Sequence, residues 1–108
     1  MQRENSPIQL VKSSIKALKQ EGFKEDSGTY RARLLYARTV VKKDDSVEIQ
    51  FAQRSTFDRW TNSTNFRVTI AANYRGPVNL KPAVTLARRI CRSGVFDFNT
   101  YFHTIDLS

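Results

Sequence analysis

The chain holds one cysteine, one histidine, four glycines and three prolines among 108 residues, and each scarcity removes a class of proteins. A lone Cys91 closes no intramolecular disulfide. With His103 as the only histidine, a zinc site of Cys and His ligands cannot be assembled from this chain. The spacings among Gly22, Gly28, Gly76 and Gly94 match neither a dinucleotide-binding loop nor a P-loop. No cofactor is therefore expected. No run approaches the ~18 consecutive apolar residues of a membrane span, and Met1 to Ser6 is polar rather than a charged stub before an apolar signal core. No membrane association and a reducing, cytoplasmic setting are the expectation. The length suits a single domain spanning 1–108, and there is no repeat or low-complexity tract to divide it.

The scarcity with the most consequence is that of negative charge. Eighteen Lys and Arg stand against ten Asp and Glu, a formal net charge of +8. Between Asp58 and Asp97 there is no acidic residue, while Arg59, Arg67, Arg75, Lys81, Arg88, Arg89 and Arg92 all fall in that interval. Uninterrupted by acid, these residues set up a positive field along whatever surface they share.

Hydrophobic periodicity supplies the elements. Ser6 followed by Pro7 is a helix start, because the serine oxygen accepts from an orphan amide and proline suits the first helical position. Ile8, Val11, Ile15 and Leu18 then mark an apolar stripe opposite Lys12, Lys16 and Lys19, and Gly22 with Phe23 ends the helix. After a polar turn over 24–28, alternation predicts one strand with Tyr30, Ala32, Leu34 and Tyr36 on one side and Arg31, Arg33, Leu35 and Ala37 on the other. Lys42 to Ser46 is a charged turn. Val47, Ile49 and Phe51 predict a second strand, antiparallel to the first. Phe66, Val68, Ile70, Ala72 and Tyr74 predict a third, stopped by Gly76 and Pro77. Pro82 opens a second helix that Gly94 ends, and the aromatic tail, with Phe96, Phe98, Tyr101 and Phe102, implies docking on the body as a strand or a short helix. The fold class expected is α+β: an antiparallel sheet of three to five strands with both helices packed on one face.

Little in the chain resembles a catalytic constellation. Asp44 and Asp45, like Glu25 and Asp26, sit in turns without an apolar wall to raise a pKa. His103 has only Asp97 and Asp106 near it in sequence, short of the orienting carboxylate and oxyanion site that a triad requires. It reads as packed at the edge of the core, and Cys91 as a small buried hydrophobe. The protein is expected not to be an enzyme.

The charge map points elsewhere. Arg67 and Arg75 fall on one outward strand face and Arg31 and Arg33 on another, so a shared sheet would present an arginine-rich plate. Arginine favours bidentate contacts to carboxylate or phosphate. Beside it, Arg54, Phe57, Arg59 and Trp60 combine aromatics with cations, which suits a protein hot spot or base stacking. The plate also reads as a solvated face whose long charges blunt aggregation, and Trp60 as a loop anchor tucked into the core.

Taken together, Gly22 and Phe23 closing a helix, Gln53 Arg54 Ser55 ending a strand, and Phe66 Arg67 Val68 Thr69 Ile70 after a loop with Trp60 resemble the bacterial family called domain of unknown function 4304. The resemblance covers roughly Ile8 to Tyr74; the chain has Ala71 and Ala72 where the family tends to show an Asn and an apolar residue. It implies the α+β fold, no established enzymatic mechanism and, from the occurrence of such proteins beside toxin and defence genes, an immunity or antitoxin-like inhibitor. The function expected is recognition of an acidic protein partner through Arg31, Arg33, Arg54, Arg59, Trp60, Arg67 and Arg75. The alternative is nucleic-acid binding by the same basic face.

Overall fold

The computed structural model describes residues 6–33, 35–53, 65–92 and 103–107. Helix α1, Pro7–Gln20, opens with a capping box: Ser6 Oγ accepts from the Gln9 N–H, and Gln9 Oε1 accepts in turn from the Ser6 N–H. It closes in a Schellman motif in which the Phe23 N–H donates to the Leu18 carbonyl at 3.0 Å and the Gly22 N–H to Lys19 at 3.1 Å. Gly22 has φ +91°, and a Cβ there would meet nothing within 4 Å, so a substitution strains the backbone alone. Gly22→Ala is expected to cost about 1 kcal/mol, read as a lower urea midpoint at unchanged slope.

The predicted apolar stripe is met in part: Leu18 is buried and Val11 and Ile15 pack against the core, but the centre of the buried face lies to one side of it. The buried positions of α1 are Leu10, Ser14, Ala17 and Leu18, while Val11 and Ile15 are only partly covered and Ile8 is 68% exposed. Ser14 fits the core side because its hydroxyl donates to the Leu10 carbonyl at 2.7 Å, satisfying itself on its own helix.

Six strands follow in meander order: β1 Lys24–Asp26, β2 Thr29–Arg31, β3 Leu35–Val41, β4 Val47–Gln53, β5 Asn65–Ile70 and β6 His103–Asp106. The sheet has more strands than the three to five expected, for identifiable reasons. Ser27 and Gly28 both take positive φ, the geometry of a two-residue hairpin, and so convert the polar turn at 24–28 into the β1–β2 hairpin. The single strand predicted over 30–37 is also a hairpin, since Tyr30 pairs with Ala37 and Arg31 with Tyr36. That fold-back changes phase, so Tyr30, Leu35 and Ala37 share the core side. The third predicted strand stops at Ile70, where the Tyr74 N–H turns back to the Ala71 carbonyl.

The first five strands are antiparallel and β6 runs parallel to β5, with α2, Lys81–Arg92, between them in sequence. One core gathers both helices and one sheet face: Leu10 and Leu18 of α1, Ala83, Val84 and Ala87 of α2, and Val47, Ile49, Phe51, Phe66, Val68 and Ile70 of β4 and β5. Arg88 ties the helices together by donating from Nη2 to the Glu21 carbonyl at the end of α1, 3.0 Å away. Ile105 and Leu107 pack against this core, so the end of the tail docks as a strand. Gly94 and the aromatic residues from Phe96 to Phe102 lie outside the described residues. No helix among the described residues is long and apolar enough to cross a membrane.

Candidate interaction surface

Alternation along each strand sends every second residue to the face turned away from the helices, and strand register sorts these into three cross-strand rows. The first runs Lys24, Arg31, Tyr36, Ala52. The second runs Arg38, Gln50, Arg67, and the third Val40, Glu48, Thr69, Asp106. Charge is therefore uneven across the face: Lys24, Arg31, Arg38 and Arg67 gather in the first two rows with Asp26 beside Arg31, and Glu48 and Asp106 stand in the third.

A polar network locks the middle. Arg38 Nε donates to Gln50 Oε1 at 2.8 Å, and Gln50 Nε2 donates to Glu48 Oε1 at 2.6 Å. Glu48 also lies 3.8 Å from Arg67 Nε and 3.6 Å from Lys42 Nζ. Glu48 and Gln50 are buried on this face, Glu48 to 6% exposure, with the long side chains of Arg38, Arg67 and Lys42 as polar partners. Burial lowers the Arg38 pKa; the Glu48 carboxylate pulls it back up and neighbouring Arg67 lowers it further. The Arg38 guanidinium stays charged. Linked in this way, the side chains lose less freedom on binding than unattached surface arginines would.

At the end of the first row, Arg31 Nε meets Asp26 Oδ2 at 3.3 Å. Arg31, Arg33 and Lys24 line a concavity of about 300 Å³ together with Gly22 and Ala32. Among the described residues, no group of three or more His, Cys, Asp and Glu could hold a metal ion.

Of the residues expected to form the plate, Arg31 and Arg67 lie on this face as predicted. Arg33 does not reach it by strand alternation, because it sits in the β2–β3 turn, but the turn brings it beside Arg31. Arg75 is not on the plate: β5 ends at Ile70, and Arg75 is exposed in the loop before Gly76, which has φ +103°. Arg54, Arg59 and Trp60 lie outside the described residues. His103 stands at the start of β6, opposite Phe66.

Sequence reasoning missed Lys24, Tyr36, Arg38, Glu48 and Gln50 as members of the surface. Glu48 and Gln50 alternate with Val47, Ile49 and Phe51, so their shared outward face was readable. Lys24 and Arg38 were hidden by the two unrecognised hairpins. No family model, characterised protein or solved structure matches the chain.

Proposed function

We propose that this chain is a non-catalytic binding domain, of the kind an immunity or antitoxin-like inhibitor would be, whose outer sheet face recognises an acidic protein partner. The observation that carries the reading is the row Arg38, Gln50, Arg67 across three neighbouring strands, held by Glu48 of the adjacent row. Guanidiniums held two strands apart, with Gln50 between them, present forked donors to carboxylates, the pairing for which Arg is the preferred residue. The third row ends the basic field at Glu48 and Asp106, so the face favours a bounded acidic patch over a long uniform polyanion.

One observation favours nucleic acid as the second reading: Tyr36 is half-buried on the same face directly opposite Arg31, and an aromatic beside a cation can stack a base.

The test titrates the protein with a glutamate-rich peptide and with a single-stranded mixed-sequence oligonucleotide of equal nominal charge. The peptide is expected to bind more tightly, and Arg38→Gln with Arg67→Gln to weaken it about tenfold, equivalent to about 1.4 kcal/mol. Tighter binding of the oligonucleotide, with an affinity falling steeply with salt, hands the face to nucleic acid. Peptide binding unchanged in the double variant overturns the choice of surface.

A further inference from the structure

We propose that the concavity between the end of α1, the β1–β2 hairpin and the β2–β3 turn is a binding site for a phosphomonoester carried on a protein side chain. The proposal rests on the reading of the outer face as a partner surface, since Arg31 belongs to both.

The site is built from separate stretches of chain. Gly22 arrives from the Schellman turn of α1, Lys24 from β1, Arg31 from β2, and Ala32 and Arg33 from the turn after it. Three of these five residues are cationic, and no acidic residue is among the described residues that line the space. Lys24 and Arg31 are direct cross-strand partners. Like charges placed opposite each other on adjacent strands repel, and an anion held between them offsets that repulsion. Asp26 engages Arg31 through Nε at 3.3 Å, but a guanidinium carries five donors and one contact does not exhaust it.

Charge selects the ligand. A phosphomonoester carries about −1.5 to −2 at pH 7 with three acceptor oxygens, against −1 and two oxygens for a carboxylate, so a convergence of two guanidiniums and an ammonium discriminates in its favour. The surroundings select the carrier. β1 is the edge strand of the sheet, where an extended peptide can pair with the backbone and deliver a side chain. Two of its three residues, Glu25 and Asp26, are exposed carboxylates, which oppose a nucleic-acid strand laid along the same edge more than they oppose a single phosphoryl group in the cleft, whose lining residues include neither.

The experiment is an NMR titration of the full chain at fixed ionic strength with three probes: N-acetyl-phosphoserine amide, N-acetyl-aspartate amide and a 5′-phosphorylated thymidine dinucleotide. The phosphoserine probe is expected to give saturable shifts at Gly22, Lys24, Arg31 and Arg33, with a Kd on the order of 1 mM and at least about tenfold tighter than the aspartate probe. Lys24→Gln and Arg33→Gln, both at exposed positions, should each weaken it severalfold without unfolding the protein. Equal response to the phosphoserine and aspartate probes, or shifts spread unsaturably over every basic residue, overturns the site. Tighter binding of the dinucleotide overturns the protein-borne carrier. Failure of the outer-face reading shows separately, as glutamate-peptide binding that ignores Arg38→Gln and Arg67→Gln.

Discussion

Phe51→Ala is expected to cost about 3–5 kcal/mol, the range for deleting a fully buried aromatic ring. Phe51 has no exposed surface and stands at the centre of an aromatic run: its ring meets Phe23 edge-on at 6.1 Å and Phe66 edge-on at 6.2 Å. The three rings belong to three different pieces of the chain, the residue just past α1, strand β4 and strand β5. Removing the middle ring therefore loosens the helix cap and the sheet together. Tertiary packing resists collapse here because β4 is a central strand, paired on both sides over most of its length. Domains of this size are stable by roughly 5–15 kcal/mol in total, so the variant should unfold at a urea concentration lower by about 2 M with its slope unchanged. A loss under about 1 kcal/mol would show that the neighbours close the gap, and that the aromatic run is not the centre of the core.

That core was largely legible in the sequence, because burial on one face of a sheet leaves a period-two signature that local reasoning reads directly. Val47, Ile49 and Phe51, and again Phe66, Val68 and Ile70, alternate as expected and sit together inside. The closing of α1 by Gly22 and Phe23 was equally legible, since a φ of +91° strongly favours glycine and the following apolar residue folds back onto the helix. What failed was phase. A stretch such as Tyr30 to Ala37 alternates just as well when folded into a hairpin as when extended, and alternation alone carries no mark of the fold-back. Every outward residue assigned across the fold-back then changed side, which is why Leu35 and Ala37 proved to be core and Arg38 went unseen. Helix α1 departs less: Leu18, Val11 and Ile15 of the predicted stripe face the core, while the small neutral residues Ser14 and Ala17 centre the buried face on Leu10 and leave Ile8 outside. Charge was legible as a total and as an acid-free interval, but not as an arrangement. The carboxylate that organises the arginines, Glu48, lies outside that interval and reaches Arg67 only through the β4–β5 pairing.

Glu48 is consequently where stability and recognition should part. Its carboxylate accepts from Gln50 Nε2 at 2.6 Å within a buried setting, a charge-assisted bond worth about 1.5–3 kcal/mol. The contacts to Lys42 and Arg67 are longer, at 3.6 and 3.8 Å, and involve partners whose side chains are 48% and 36% exposed, so solvent screening holds each below about 1 kcal/mol. Glu48→Ala is therefore expected to destabilise the protein by about 2–3 kcal/mol, and Glu48→Gln, which keeps an acceptor for Gln50, by about 1 kcal/mol. Both variants also remove one negative charge from beside Arg67. At low salt that should tighten binding of the glutamate-rich peptide by roughly threefold, an advantage that fades as added salt shortens the screening length. A protein made less stable and a tighter binder by one substitution marks Glu48 as a scaffold residue that restrains the field of the face it supports. If urea unfolding shows the loss while the peptide affinity stays fixed or falls, the arginines beside Glu48 are not where the acidic partner lands.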